Sequence, residues 1–257
     1  MAAQAAADAR AEAARIGPEL TRVAAGVDPV TNSVDDTCPG AMAMMLYAHP
    51  FSSYSQKVLI ALYENGTPFT YRNLEDSSAS AELASLWPLK RFPVLVDQSR
   101  TMLEASTIID YLQLHHPGPV RLIPDGDAGI EVRMLDRIFD NYVMTPMQKF
   151  VLDRLRPETD RDAAGVTEAR GLLEKVYAWL DERLAGRAWA AGDSFTLADC
   201  AAAPSLFYAD WVHEIPPTRA RLRDYRARLL RRRSVARAVD EGRPYRSYFP
   251  LGAPDRD

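Results

Sequence analysis

The chain has 257 residues, 47% hydrophobic and 26% charged, with a formal net charge of −4. This is the composition of folded domains in water, and mild acidity gives no electrostatic reason for a nucleic-acid partner. No apolar run approaches the ~20 residues of a membrane span. The two cysteines, Cys38 and Cys200, have neither metal-ligand spacing nor a disulfide framework. No metal, no membrane and a cytoplasmic location are therefore expected.

Residues 1–43 are expected to be a poorly ordered extension. The opening stretch is alanine-rich, with Asp8, Glu12 and Glu19 interleaved, which suits neither a secretory nor a mitochondrial address. A short frayed helix up to Pro18 fits the alanine content. From Met44 to Tyr47 the pattern is a short buried strand, and a helix follows from about Tyr54 with Gly66 as its stop. A second strand is expected over Phe69 to Leu74, and a short helix around Ala81 to Trp87 ends at Pro88. Pro93 to Val96 and Thr101 to Glu104 read as an antiparallel hairpin, and Ser106 to His115 as a helix.

A proline-rich linker at 119–124 separates residues 44–118 from an all-helical region, residues 125–250, followed by a tail at 251–257. Ile130, Met134, Ile138 and Tyr142 share one helical face, as do Leu173, Val176, Tyr177, Leu180 and Leu184. Thr196 to Asp199 has capping-box spacing, and Leu222, Tyr225 and Leu229 mark another helix. The eight arginines between Arg219 and Arg233 are expected to lie on a solvated face rather than a nucleic-acid site.

The string Ser52-Ser53-Tyr54-Ser55 stands where the first helix begins, followed by Arg91-Phe92-Pro93 and Glu104-Ala105-Ser106. In this order, with an all-α half behind them, these motifs resemble the cytosolic glutathione transferases of the serine type, theta- or zeta-like. The resemblance covers about residues 44–230. It implies a fold with an α/β thioredoxin-like N-terminal domain plus an all-α C-terminal domain.

The resemblance also implies glutathione as co-substrate. Its thiol would be held as a thiolate by Ser52, with Ser53 as the competing donor and the helix N-terminus adding partial positive charge. Tyr54 is expected to be a helix-start residue, Tyr47 a core residue and His49 a loop residue. Phe92 and Pro93, with a cis peptide between them, would pair with the cysteinyl backbone. Glu104 would hold the γ-glutamyl ammonium, and Lys90 or Arg91 the glycyl carboxylate. Ala105 stands where the family has serine, so one contact to the γ-glutamyl carboxylate is missing, and Ser106 is the expected substitute.

The apolar electrophile is expected between the domains, against Tyr142, Met144, Met147, Tyr208 and Trp211. A homodimer is expected from the family habit. Two other readings stay open: glutathione-dependent peroxide reduction or isomerisation at the same site, and a non-catalytic binding or stress protein.

Overall fold

The structure, a computed structural model, describes residues 44–257; Cys38 and the expected N-terminal extension lie outside them. Strand β1 (Met45–Ala48) is followed by helix α1 (Ser53–Asn65), strand β2 (Thr70–Asn73), helix α2 (Ser77–Leu86), strands β3 (Val94–Asp97) and β4 (Arg100–Met102), and helix α3 (Ala105–His115). The sheet order is β2-β1-β3-β4, with β1 and β2 parallel and the other pairs antiparallel.

Side chains alternate across this sheet, as a period of two requires. Leu46, Ala48 and Leu95 face α1 and α3 and join the main core, whereas Tyr47, Val94 and Val96 pack on Ala79 and Leu83 of α2. Helix α2 starts earlier than the sequence suggests because the Asp76 side chain accepts from the Ser78 N–H and caps it. Gly66 closes α1 at φ +60°, a left-handed conformation that costs glycine little.

The remainder is helical. Helix α4 (Gly126–Ile138) runs through a π-helical turn (Phe139–Met144) into α5 (Thr145–Arg154), followed by α6 (Ala163–Arg183), α7 (Leu197–Val212), α8 (Ala220–Arg231) and α9 (Arg233–Gly242). Leu173, Val176, Tyr177, Leu180, Leu222, Tyr225 and Leu229 are buried, as their spacing predicts. The stripe Ile130, Met134 and Tyr142 is not: these residues are exposed, and Val132, Leu135, Phe139 and Val143 form the buried face instead. The capping box at α7 is made on both sides. Asp199 accepts from the N–H and hydroxyl of Thr196, from the Ala190 N–H and from the Tyr225 hydroxyl.

Candidate functional site

Helix α1 is the spine of the molecule. It is buried nearly all round, between α3 on one side and α7 and α9 on the other. A cavity of about 360 Å³ opens near its N-terminal end. Tyr54 lines it from α1, Trp87, Arg91, Phe92 and Pro93 from the segment leading into β3, and Leu103, Glu104 and Ala105 from the start of α3. Arg137, Asp140 and Asn141 close it from α4 and the π-helical turn. Both halves of the chain therefore contribute to one concave site of ordinary ligand size.

The Phe92–Pro93 peptide is cis. Glu104 sits at φ +64°, an unusual backbone for a residue with a Cβ, and its carboxylate makes no cap bond to α3. The carboxylate is left exposed at the cavity rim. Lys90, at φ +51°, is exposed and does not line the cavity, whereas Arg91 does.

Both serines stand at the start of α1, as expected, but neither lines the cavity. Ser52 is the N-cap of α1: its Oγ accepts from the Ser55 N–H at 3.4 Å, and the residue is 1% exposed. Ser53 opens the helix, is buried and lies outside the cavity lining. Tyr54 is the residue of this string that reaches the cavity. Burial, reinforced by the carboxylates of Asp140 and Glu104, pushes its phenol well above the ordinary range. Tyr47 packs in the core and donates to Glu82 at 2.8 Å. His49 is buried, accepts the Phe51 N–H on Nδ1 at 3.1 Å, and meets Glu75 through Nε2 at 3.0 Å.

Ser106 is not free to take over the contact that Ala105 lacks. Its hydroxyl accepts from Lys57 Nζ at 2.9 Å, donates to Asp136 Oδ2 at 2.8 Å, and also meets the Arg137 guanidinium. Lys57 is 1% exposed, with Asp136 Oδ1 at 2.5 Å and Asp140 Oδ2 at 2.8 Å. Arg137 holds Asp136 Oδ2 through Nε and Nη2, and the rest of its half-exposed guanidinium faces the cavity. Burial raises the Asp140 carboxyl above its usual range, and Lys57 offsets this only in part. The sequence reading missed Lys57, Arg137 and Asp140, because charges at helical positions ordinarily face solvent.

The apolar wall expected for an electrophile is also displaced. Met144 and Met147 are 1% exposed and belong to the core, while Tyr142 points outward. Tyr208 donates to the Phe51 carbonyl oxygen at 2.8 Å and, with Trp211, packs among Phe51, Phe207 and Phe249. None of the five lines the cavity. The π-helical turn presents Asp140 and Asn141 to the cavity and buries Met144 in the core.

This fold and site can be set beside known proteins. Residues 46–120 match the family described as glutathione S-transferase, N-terminal domain, and residues 163–228 match its C-terminal domain. The chain belongs to the glutathione S-transferase family. A glutathione S-transferase of Methylobacterium radiotolerans, solved in complex with glutathione sulfonate, is 30% identical. Its TM-score is 0.67, over 77% of this chain and 95% of that one. A stringent starvation protein A homolog of Coxiella burnetii is 28% identical over 77% of this chain and 92% of its own. FtsZ-localized protein A of Caulobacter vibrioides is 29% identical over 66% of this chain and 79% of its own. The transferase fold therefore extends over both halves, while the relatives' names span enzymes and proteins described by other roles.

Proposed function

We propose that the protein binds glutathione in the cavity at the N-terminal end of α1 and directs its thiolate at an electrophile. The observation that carries this reading is the convergence of charges matched to that tripeptide. Glu104 offers a carboxylate for the γ-glutamyl ammonium, Arg137 a guanidinium for the neighbouring carboxylate, and Arg91 a guanidinium for the glycyl carboxylate. Phe92, before the cis proline, offers main-chain groups for the peptide in between, in the manner of an added strand. The complex of the Methylobacterium relative with glutathione sulfonate supports the choice of ligand.

A thiol titrates near 8.5, so only a few per cent is ionised at neutral pH. The unpaired N–H groups at the start of α1 favour a sulfur anion there. The electrophile then meets a mixed wall, with Trp87, Phe92 and Leu103 apolar and Asn141 and Asp140 polar. This reading is tested by turnover of glutathione with an aryl halide, in which the sulfur–carbon bond forms and chloride leaves. Saturable turnover supports it, and no rate above the solution reaction counts against it.

A second reading, binding without useful turnover, is favoured by two observations. Ser52 is buried outside the cavity lining, and Ala105 offers no hydroxyl. The starvation-protein and FtsZ-localized relatives fit this reading by name. Saturable glutathione binding in a protein inert toward a panel of electrophiles would select it. The exposed Leu114, Ile130 and Met134 of α3 and α4 support assembly as a homodimer in either case.

A further inference from the structure

We infer that His49 is a proton-sensitive clasp that positions the β1–α1 loop, and with it the first turn of α1, against a 3-10 turn at Arg243–Tyr248. The inference stands apart from the glutathione reading. His49 follows β1 directly and is 4% exposed. Every polar group it carries is engaged. Its N–H donates to Ser55 Oγ at 3.3 Å, and its carbonyl oxygen accepts the Ser52 N–H at 3.0 Å. Nδ1 accepts the Phe51 N–H at 3.1 Å. A backbone N–H can only donate, so Nδ1 carries no proton and the ring hydrogen sits on Nε2, 3.0 Å from Glu75 Oε1.

Segments far apart in sequence meet on this ring. The Tyr245 ring stands edge-on to it with centroids 4.7 Å apart, and the Tyr248 ring stacks on it at 6.0 Å. Tyr248 donates to Glu75 Oε2 at 3.0 Å, and Tyr245 accepts from Asn73 Nδ2 at 3.3 Å. Among the described residues, the titratable groups facing the imidazole are therefore Glu75, after β2, and these two phenols. Arg243 and Arg246 of the same turn pair with Asp257 instead.

Imidazole is the side chain suited to gain a proton from solvent between about pH 8 and pH 5. That proton would stand on Nδ1, opposite a Phe51 N–H that carries one already. Two donors would then face each other in a buried place, and the Phe51 N–H would lose its acceptor. The Pro50–Phe51 peptide that carries this N–H also offers its carbonyl oxygen to Gln56 Nε2 of α1 at 2.9 Å. Turning the peptide therefore loosens α1 as well. Tyr54, in that first turn, is the α1 residue that lines the cavity, so the clasp gives acidity a route to the wall of the site.

The test is nuclear magnetic resonance of the full chain, followed from about pH 7.5 to about pH 5. The carbon-bound ring proton of His49 reports its protonation. Amide exchange, corrected for the intrinsic rate, reports the Phe51 bond, with the buried Leu59 in the middle of α1 as internal control. The expected result is a loss of Phe51 protection of about tenfold, the size of one hydrogen bond, as the ring titrates, with Leu59 unchanged. His49→Asn supplies an oxygen that accepts the N–H two residues on, as in an Asx-turn, and does not titrate. That variant should keep Phe51 protected across the whole range. Level Phe51 protection while the ring titrates overturns the inference, as does a ring that stays unprotonated throughout. A loss shared by Leu59, or an equal loss in His49→Asn, overturns it too. If His49→Asn does not fold, the titration of the unaltered chain decides alone.

Discussion

Lys57 Nζ of α1 lies 2.5 Å from Asp136 Oδ1 of α4, and each side chain is 1% exposed. The pair joins the two halves of the chain directly behind the cavity, and Asp140, Ser106 and Arg137 complete its coordination. Two carboxylates against one ammonium and one guanidinium leave the cluster neutral. Neutrality with dense hydrogen bonding is the condition under which buried charge is tolerated.

Breaking the cluster from the cationic side leaves two carboxylates facing each other in a desolvated setting. Lys57→Met is expected to cost about 3–5 kcal/mol of unfolding free energy. Adding Asp136→Asn removes one of the stranded charges and should recover part of that loss. Urea denaturation of the single and double variants measures both. Additive losses in the double variant would show that the two side chains act independently.

Asp97 supplies a pH dependence whose sign can be worked out. Burial alone would raise its carboxyl, but hydrogen bonds from His116 and Tyr111 outweigh this and hold it below the ordinary carboxylate range. A lowered folded-state value means that the stabilisation is present above the unfolded value near 3.9 and fades as pH falls through the folded one. Asp97→Asn should therefore flatten the acid limb of the stability curve below about pH 4 and lower the plateau above it. Parallel acid limbs in the variant and the unaltered protein would refute this.

Ala105 stands at the first residue of α3, buried and lining the cavity beside Glu104. A hydroxyl introduced there should add one bond to the γ-glutamyl carboxylate. Ala105→Ser is expected to tighten glutathione roughly tenfold, the size of one hydrogen bond to a charged group. Calorimetry decides this, and unchanged affinity would mean that Arg137 already satisfies that carboxylate.

Ser52→Ala separates capping from chemistry. Loss of the bond to the Ser55 N–H should lower stability by about 1 kcal/mol, the usual cost of an N-cap. The thiolate titration should stay where it is. A large displacement without destabilisation would return the catalytic alcohol to Ser52.

Much of the architecture was legible because it rests on periodicity and on termini. Gly66 as the stop of α1, the β3–β4 hairpin, the Thr196–Asp199 box and the buried line Leu222, Tyr225, Leu229 all follow from local rules. Of the candidate site, Phe92, Pro93, Glu104, Ala105 and Arg91 reach one cavity. The sequence could not announce the π-helical turn, since no residue in Phe139–Met144 forbids an ordinary helix. With that shift unread, Met144 and Met147 looked like a pocket wall and Asp140 went unnoticed. Lys57 was illegible for a related reason: its burial depends on partners 79 and 83 residues further on, at Asp136 and Asp140. The stripe Ile130, Met134, Tyr142 shows the opposite error, an apolar pattern that the fold leaves facing outward.

The central claim is that a tripeptide with one ammonium and two carboxylates fills the space between Glu104, Arg91 and Arg137. Calorimetric titration of glutathione into the full chain, beside Glu104→Gln, tests it most directly. The expected result is a single saturable site below about 1 mM, weakened roughly tenfold or more in the variant by loss of the bond to the ammonium. The absence of saturable heat in a protein that circular dichroism shows to be folded, or equal binding by Glu104→Gln, would contradict it.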